Sequence, residues 1–127
     1  MKILGIGVDL IENSRIKKSL INKSFLNRIY SKKEIKIAKK KINKSSYFAK
    51  RFAAKEAFAK SLGTGFANSL NFKDITIIND KMGKPYFLIN DKIKKLIIKK
   101  FKIKNFNFLL SISDEKKYSI AFVVFQK

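Results

Sequence analysis

Asp9, Glu56 and Lys60 are the side chains of this sequence best suited to chemistry. Glu56 and Lys60 stand four residues apart in KRFAAKEAFAKSLGTG (Lys50–Gly65), so on a helix they share a face about one turn apart. Taken alone, that spacing also fits a surface ion pair worth about 0.3–0.5 kcal/mol. The surroundings argue for more. Ala49, Ala53, Ala54, Ala57 and Ala59 leave little bulk around Glu56, so another backbone or a ligand can approach closely. Lys50, Arg51 and Lys55 make the neighbourhood cationic, and the helix runs into Gly63-Thr64-Gly65, a loop able to offer backbone N–H groups and a hydroxyl. Asp9 follows Gly5-Ile6-Gly7-Val8, where it is expected to end a strand at the mouth of a sheet; a carboxylate that merely starts a turn is the alternative. Two carboxylates with substrate phosphates make a minimal Mg²⁺ site, water completing the octahedron.

Composition narrows the chemistry further. The chain has no cysteine and no histidine, which rules out thiol and imidazole catalysis, disulfides and His-ligated metals. Any metal must be held by oxygen, which favours hard ions such as Mg²⁺. No Ser/His/Asp triad is possible, and Gly5-Ile6-Gly7 lacks the third glycine of a dinucleotide-binding fingerprint. The formal charge of +21 invites a polyanion partner, but 27 of the 30 cations are lysine and they spread along the chain. Abundant Lys, Asn, Ile and Phe also fit A/T-rich coding, so a solvated basic surface is the plainer reading. No apolar stretch approaches the ~20 residues that cross a bilayer, and Asp9 interrupts the first apolar run. A soluble, cytoplasmic protein is expected, with no membrane and no nucleic-acid partner.

The elements that must position these residues follow from pattern and punctuation. The 127 residues suffice for one domain (1–127), and 46% hydrophobic residues suffice for its core. Ile3–Val8 reads as a buried strand. Asn13 or Ser14 is expected to cap a first helix to about Ile21, and Ser24 a short second one. Ser31-Lys32-Lys33-Glu34 has the capping-box pattern and opens a basic helix to about Ile42. Ser45 or Ser46 is expected to cap the alanine-rich helix, which Gly63 stops. Phe72–Asn79 and Pro85–Ile89 read as strands about the turn Asp80–Gly83, Pro85 marking an edge. Asn90 or Asp91 caps another helix to about Phe101, and Asn107–Ser113 with Tyr118–Phe125 form a terminal hairpin. The class is α+β, an antiparallel sheet with helices packed on one side.

Four stretches, taken together and in this order, resemble the holo-[acyl-carrier-protein] synthases, the small bacterial 4′-phosphopantetheinyl transferases. They are GIGVDLIENSRI (Gly5–Ile16), FAKRFAAKEAFAKSLGTG (Phe48–Gly65), DKMGKPYF (Asp80–Phe87) and SISDEKKYSIAFVV (Ser111–Val124). The likeness extends nearly from end to end, and it is loose over Ser19–Ser45. Many members carry a histidine where Asp114 stands, although an Ala-Asp-Glu version of that turn also occurs.

The resemblance implies transfer of 4′-phosphopantetheine from coenzyme A to a serine of apo acyl carrier protein, with release of adenosine 3′,5′-bisphosphate, in fatty acid biosynthesis. Asp9 and Glu56 match the carboxylates that hold Mg²⁺ on the pyrophosphate, and Lys60 matches a lysine on phosphate. Gly63, Thr64, Gly65, Gly83, Lys84 and Pro85 would line the nucleotide side, with Asp114 close by. Homotrimers with sites at subunit boundaries are implied as well. Glu56 is the expected base for the incoming serine, and the acidic carrier is expected to dock on Arg15 and Arg28. A basic RNA- or polyanion-binding module is the competing reading; its affinity would survive loss of Asp9 and Glu56.

Overall fold

The computed structural model describes residues 1–63 and 70–127. Strand β1 (Ile3–Glu12) leads into three short helices, α1 (Asn13–Ser19), α2 (Lys23–Ile29) and α3 (Lys32–Ala38). The long helix α4 (Lys44–Ser61) follows, then a 3-10 turn at Phe72–Asp74. Strands β2 (Thr76–Asn79) and β3 (Pro85–Leu88), helix α5 (Asp91–Phe101) and strands β4 (Asn107–Asp114) and β5 (Tyr118–Gln126) complete the chain. The strands form two antiparallel sheets, a three-stranded one in the order β1-β5-β4 and the hairpin β2-β3.

Helix α4 lies across β1 and β5, and its small residues make the contact. Ala49, Ala53, Ala54 and Ala57 are completely buried. A Cβ on Gly7 would run into the carbonyl oxygen of Ala57, and one on Gly5 into that of Ser61. The alanines and these two glycines therefore bring the helix backbone against the strand backbone. That corrects the expectation that the alanines clear room for a ligand: of the two visitors their size allows, the strand takes the place.

Strand alternation then sorts the rest of β1. Odd positions turn toward α4, where Ile11 is buried, while Ile6, Val8 and Leu10 face away and stay 50–61% exposed. Phe122, opposite Val8, and Ile120, opposite Leu10, extend this apolar face on β5, and Leu109 extends it on β4. Among the described residues, the helices cover only the inner face of the three-stranded sheet.

Several boundaries differ from those read in the sequence, each for a local reason. β1 runs on through Asp9 to Glu12 because every residue from Gly5 onward finds a partner on β5, Asp9 opposite Ala121. Asn13 does not cap α1. Its side-chain amide donates to the carbonyls of Glu115 and Lys116 in the β4-β5 turn, and Ser14 donates to Glu12. Asn22 replaces Ser24 as the cap of α2, and Asn43 replaces Ser45 or Ser46 on α4, each accepting from a backbone N–H in the first turn. α3 stops at Ala38, short of Ile42, but its capping box forms as expected: Ser31 accepts from the Glu34 N–H and Glu34 from the Ser31 N–H. The residues 72–74 coil into a 3-10 turn, so β2 begins only at Thr76.

One buried ion pair ties these pieces together. Glu34 and Lys55 are both fully buried, with Nζ 2.6 Å from Oε1. Lys55 also donates to the carbonyls of Phe72 and Ile75, and Glu34 Oε2 accepts from the Ile77 N–H at 3.0 Å. Burial pushes the Lys55 pKa down, and the neighbouring Glu34 carboxylate opposes it. Lys55 was expected to add positive charge around Glu56; it points into the core instead.

Candidate active site

The inner face of β1 and the last turns of α4 bring Asp9, Glu56 and Lys60 together. Asp9 is an odd position of the strand, so it faces the helix side as Gly5 and Gly7 do. Lys60 Nζ lies 3.3 Å from Asp9 Oδ1 and donates at 2.9 Å to the carbonyl of Val8. Asp9 and Glu56 are close enough to feel each other. Burial raises the Glu56 pKa most, the Asp9 charge raises it further, and Lys60 works against both. Burial raises Asp9 as well, opposed by its hydrogen bond from Lys60 and by the charges of Lys60 and Arg15. Arg15, on α1, thus acts on the same cluster electrostatically.

Two neighbouring carboxylates, with no third among the described residues, form a donor set of hard oxygens. That set suits a cation such as Mg²⁺, which takes one or two protein carboxylates and fills its shell from phosphate and water.

Glu56 also lines a cavity of about 630 Å³ between α2, α4 and residues 70–73. Three phenylalanines form one wall: Phe25 stacks on Phe52 at 6.4 Å between centroids, and Phe52 on Phe72 at 5.6 Å. Arg28 supplies a cation to the same cavity. One sequence signal marks this wall: Phe52 lies four residues before Glu56, hence on the same helical face.

The other candidate residues gather elsewhere. Gly83, in the left-handed region at φ +86°, lines a second cavity of about 440 Å³ with Lys41, Lys50, Arg51 and Lys81. Arg51 is 5% exposed, and its guanidinium carbon sits 4.1 Å from the centre of the Tyr47 ring. One Arg51 nitrogen donates to Asn79, while Nε has no partner among the described residues. Lys84 donates its N–H to Asp80, which closes the turn, and Pro85 starts β3 opposite Asn79. Asp114 ends β4 and accepts from the Ser46 hydroxyl at 3.3 Å, beside a third cavity of about 250 Å³. Ser46 and Glu56 are ten residues apart on α4, about 15 Å along its axis. Within one chain, then, Asp114 and Gly83 stand apart from the Asp9–Glu56–Lys60 cluster. Gly63 follows α4 at φ +76°, a left-handed helix stop; Thr64 and Gly65 lie outside the described residues.

Known proteins resemble this chain over nearly its whole length. Residues 5–123 match the family model of the 4′-phosphopantetheinyl transferase superfamily. The holo-[acyl-carrier-protein] synthase of Pelagibacter ubique (strain HTCC1062) is 65% identical over 127 residues, covering 100% of this chain and 99% of that protein. The crystal structure of the holo-[acyl-carrier-protein] synthase from Neisseria meningitidis superposes with a TM-score of 0.89 at 37% identity, over 99% of this chain and 100% of that one. A Bacillus anthracis synthase solved in complex with CoA (3′,5′-ADP) superposes with a TM-score of 0.81 at 35% identity, over 98% of this chain and 97% of that one. With its fold, its length and nearly all of its sequence matched in this way, the chain belongs to the 4′-phosphopantetheinyl transferase superfamily.

Proposed function

We propose that this chain is a holo-[acyl-carrier-protein] synthase, which moves 4′-phosphopantetheine from coenzyme A to a serine of apo acyl carrier protein. The observation that carries the proposal is the cluster of Asp9, Glu56 and Lys60, of which Glu56 also lines a cavity of about 630 Å³. In the reaction the serine oxygen attacks the pantetheine-side phosphorus of the pyrophosphate. The bond from that phosphorus to the bridging oxygen breaks, and adenosine 3′,5′-bisphosphate leaves. The nucleophile belongs to the carrier, so this chain needs none of its own.

Its residues supply position, charge and a proton acceptor. Mg²⁺, held by Asp9 and Glu56, would withdraw charge from the pyrophosphate. Lys60 is placed to neutralise phosphate oxygens that gain charge as the bond breaks. Glu56 is the carboxylate proposed to accept the serine proton. The aromatic cavity suits the pantetheine arm. The cavity at Gly83 suits the phosphates of the nucleotide, since Lys41, Lys50, Arg51 and Lys81 all line it. Arg28, which lines the cavity, and Arg15, whose charge acts on Asp9, would meet the acidic carrier.

The separation of Asp114 and Gly83 from Glu56 favours a site completed by a neighbouring copy. The open apolar face of the three-stranded sheet supports self-association, since patches of this kind mark interfaces. We take the assembly to be a homotrimer and the enzyme to serve fatty acid biosynthesis in the cytoplasm; no described helix is long and apolar enough to cross a membrane.

The test is direct. Purified protein is incubated with CoA, Mg²⁺ and an apo carrier, and the carrier is weighed by mass spectrometry. The expected result is the added mass of one phosphopantetheine group, lost with EDTA and with Glu56→Ala. A carrier of unchanged mass, from folded protein and across several carriers, would overturn the assignment.

A further inference from the structure

Asp9 has a cation of its own. The Lys60 ammonium bridges Asp9 Oδ1 at 3.3 Å and the Val8 carbonyl at 2.9 Å, so both its contacts are to β1. The two partners are anchored very differently. The Asp9 side chain retains 16% exposure on a strand paired with β5 from Gly5 to Glu12, whereas that of Lys60 retains 53%. Asp9 is fixed; Lys60 has solvent on one side and a long flexible stem. A divalent cation on Asp9 would repel an ammonium held only 3.3 Å from that carboxylate.

We infer that Lys60 is a built-in rival of the divalent cation for Asp9, and that it yields when a phosphate offers the ammonium a partner in place of Asp9. Metal and coenzyme A then load as a unit, because the anion that needs the metal also draws off the group that opposes it. The inference rests on the reading of Asp9 and Glu56 as metal carboxylates. It gives Lys60 a part in the order of loading, separate from any part in bond breaking. By linkage, whatever factor CoA adds to metal affinity, the metal adds to CoA affinity.

Mn²⁺ binding, followed by the loss of its free-ion EPR signal, tests this without turnover. The full-length protein and its Lys60→Met and Lys60→Arg variants are titrated with Mn²⁺, with and without CoA, and binding of Mn²⁺ to CoA alone is subtracted. Methionine keeps most of the stem and lysine is half exposed, so both variants are expected to fold, which circular dichroism checks. Without CoA, Lys60→Met is expected to bind Mn²⁺ about tenfold more tightly than wild type, while Lys60→Arg stays within about twofold. CoA is expected to strengthen Mn²⁺ binding by about tenfold or more in wild type and clearly less in Lys60→Met. Equal Mn²⁺ affinity in wild type and Lys60→Met overturns the rivalry, as does a CoA effect of the same size in both. Failure of every protein to bind Mn²⁺, even with CoA, would instead overturn the metal reading of Asp9 and Glu56, and the rivalry with it.

Discussion

Gly7 of β1 lies directly beneath the carbonyl of Ala57, so close that the strand has room there for a hydrogen but not for a methyl group. This contact sets the distance between the strand that carries Asp9 and the helix that carries Glu56. Gly7→Ala is therefore expected to cost about 1–3 kcal/mol or more, since the obstacle is backbone on both sides and cannot rotate away. Urea unfolding measures the loss. Transfer activity should fall by more than the fraction unfolded, because any relief moves β1 away from α4; activity proportional to folded protein would show that the spacing is not needed.

Breaking the Glu34–Lys55 pair should be far worse than removing it. Lys55→Met leaves a buried carboxylate without its counter-charge, at a cost of about 3–5 kcal/mol. Glu34→Leu combined with Lys55→Met is expected to recover much of that stability, and the difference in unfolding midpoint between single and double variants reports it.

Glu56 should make the folded chain less stable at neutral pH. Burial and the Asp9 charge raise its pKa, so between the ordinary carboxylate range and the raised value the folded chain keeps a proton that the unfolded chain has lost. Stability therefore falls as pH rises through that window, and the cost is fully present above it. Glu56→Gln cannot ionise. It is expected to raise the melting temperature at neutral pH while abolishing transfer, and the gain should vanish below the ordinary carboxylate range, where Glu56 is protonated in both states.

Arg51 should matter for the nucleotide and little for the carrier. Arg51→Lys keeps the charge but loses the planar fork that stacks on Tyr47 and bonds Asn79. CoA affinity by calorimetry is expected to fall about tenfold, with the KM for the carrier nearly unchanged. A rise in the carrier KM alone would place the nucleotide elsewhere.

The open face of the sheet should control assembly. Phe122→Glu puts a charge at the centre of an apolar patch with Val8 directly opposite. Light scattering is expected to show a trimer for wild type and a monomer for the variant. An unchanged mass would remove the support that this face gives to the trimer.

Much of this was legible in the sequence because it was local. The capping box at Ser31, the turn at Gly83 and the i, i+4 placement of Glu56 and Lys60 are each set by neighbouring residues. What could not be read depends on partners distant in the chain. Asn13 looks like a helix cap until its amide is seen to reach the turn at Glu115, about a hundred residues on. Lys55 and Lys60 lie on one helix in similar surroundings, yet one is buried on Glu34 and the other sits on Asp9. The alanines were read correctly as small, but size alone does not say which neighbour comes close. Where Asp9 lies along its strand was misjudged because only β5, at the far end of the chain, extends the pairing through it.

Val8 and Asp9 are consecutive residues on opposite sides of a single layer of backbone. One looks outward from the sheet with the apolar patch, the other inward at the charged cluster. An inhibitor of this protein thus need not resemble coenzyme A or carry phosphates. Val8 and Phe122 face the proposed neighbouring copy, so a small apolar compound that took that copy's place would loosen the assembly and push on the strand that holds Asp9 from behind.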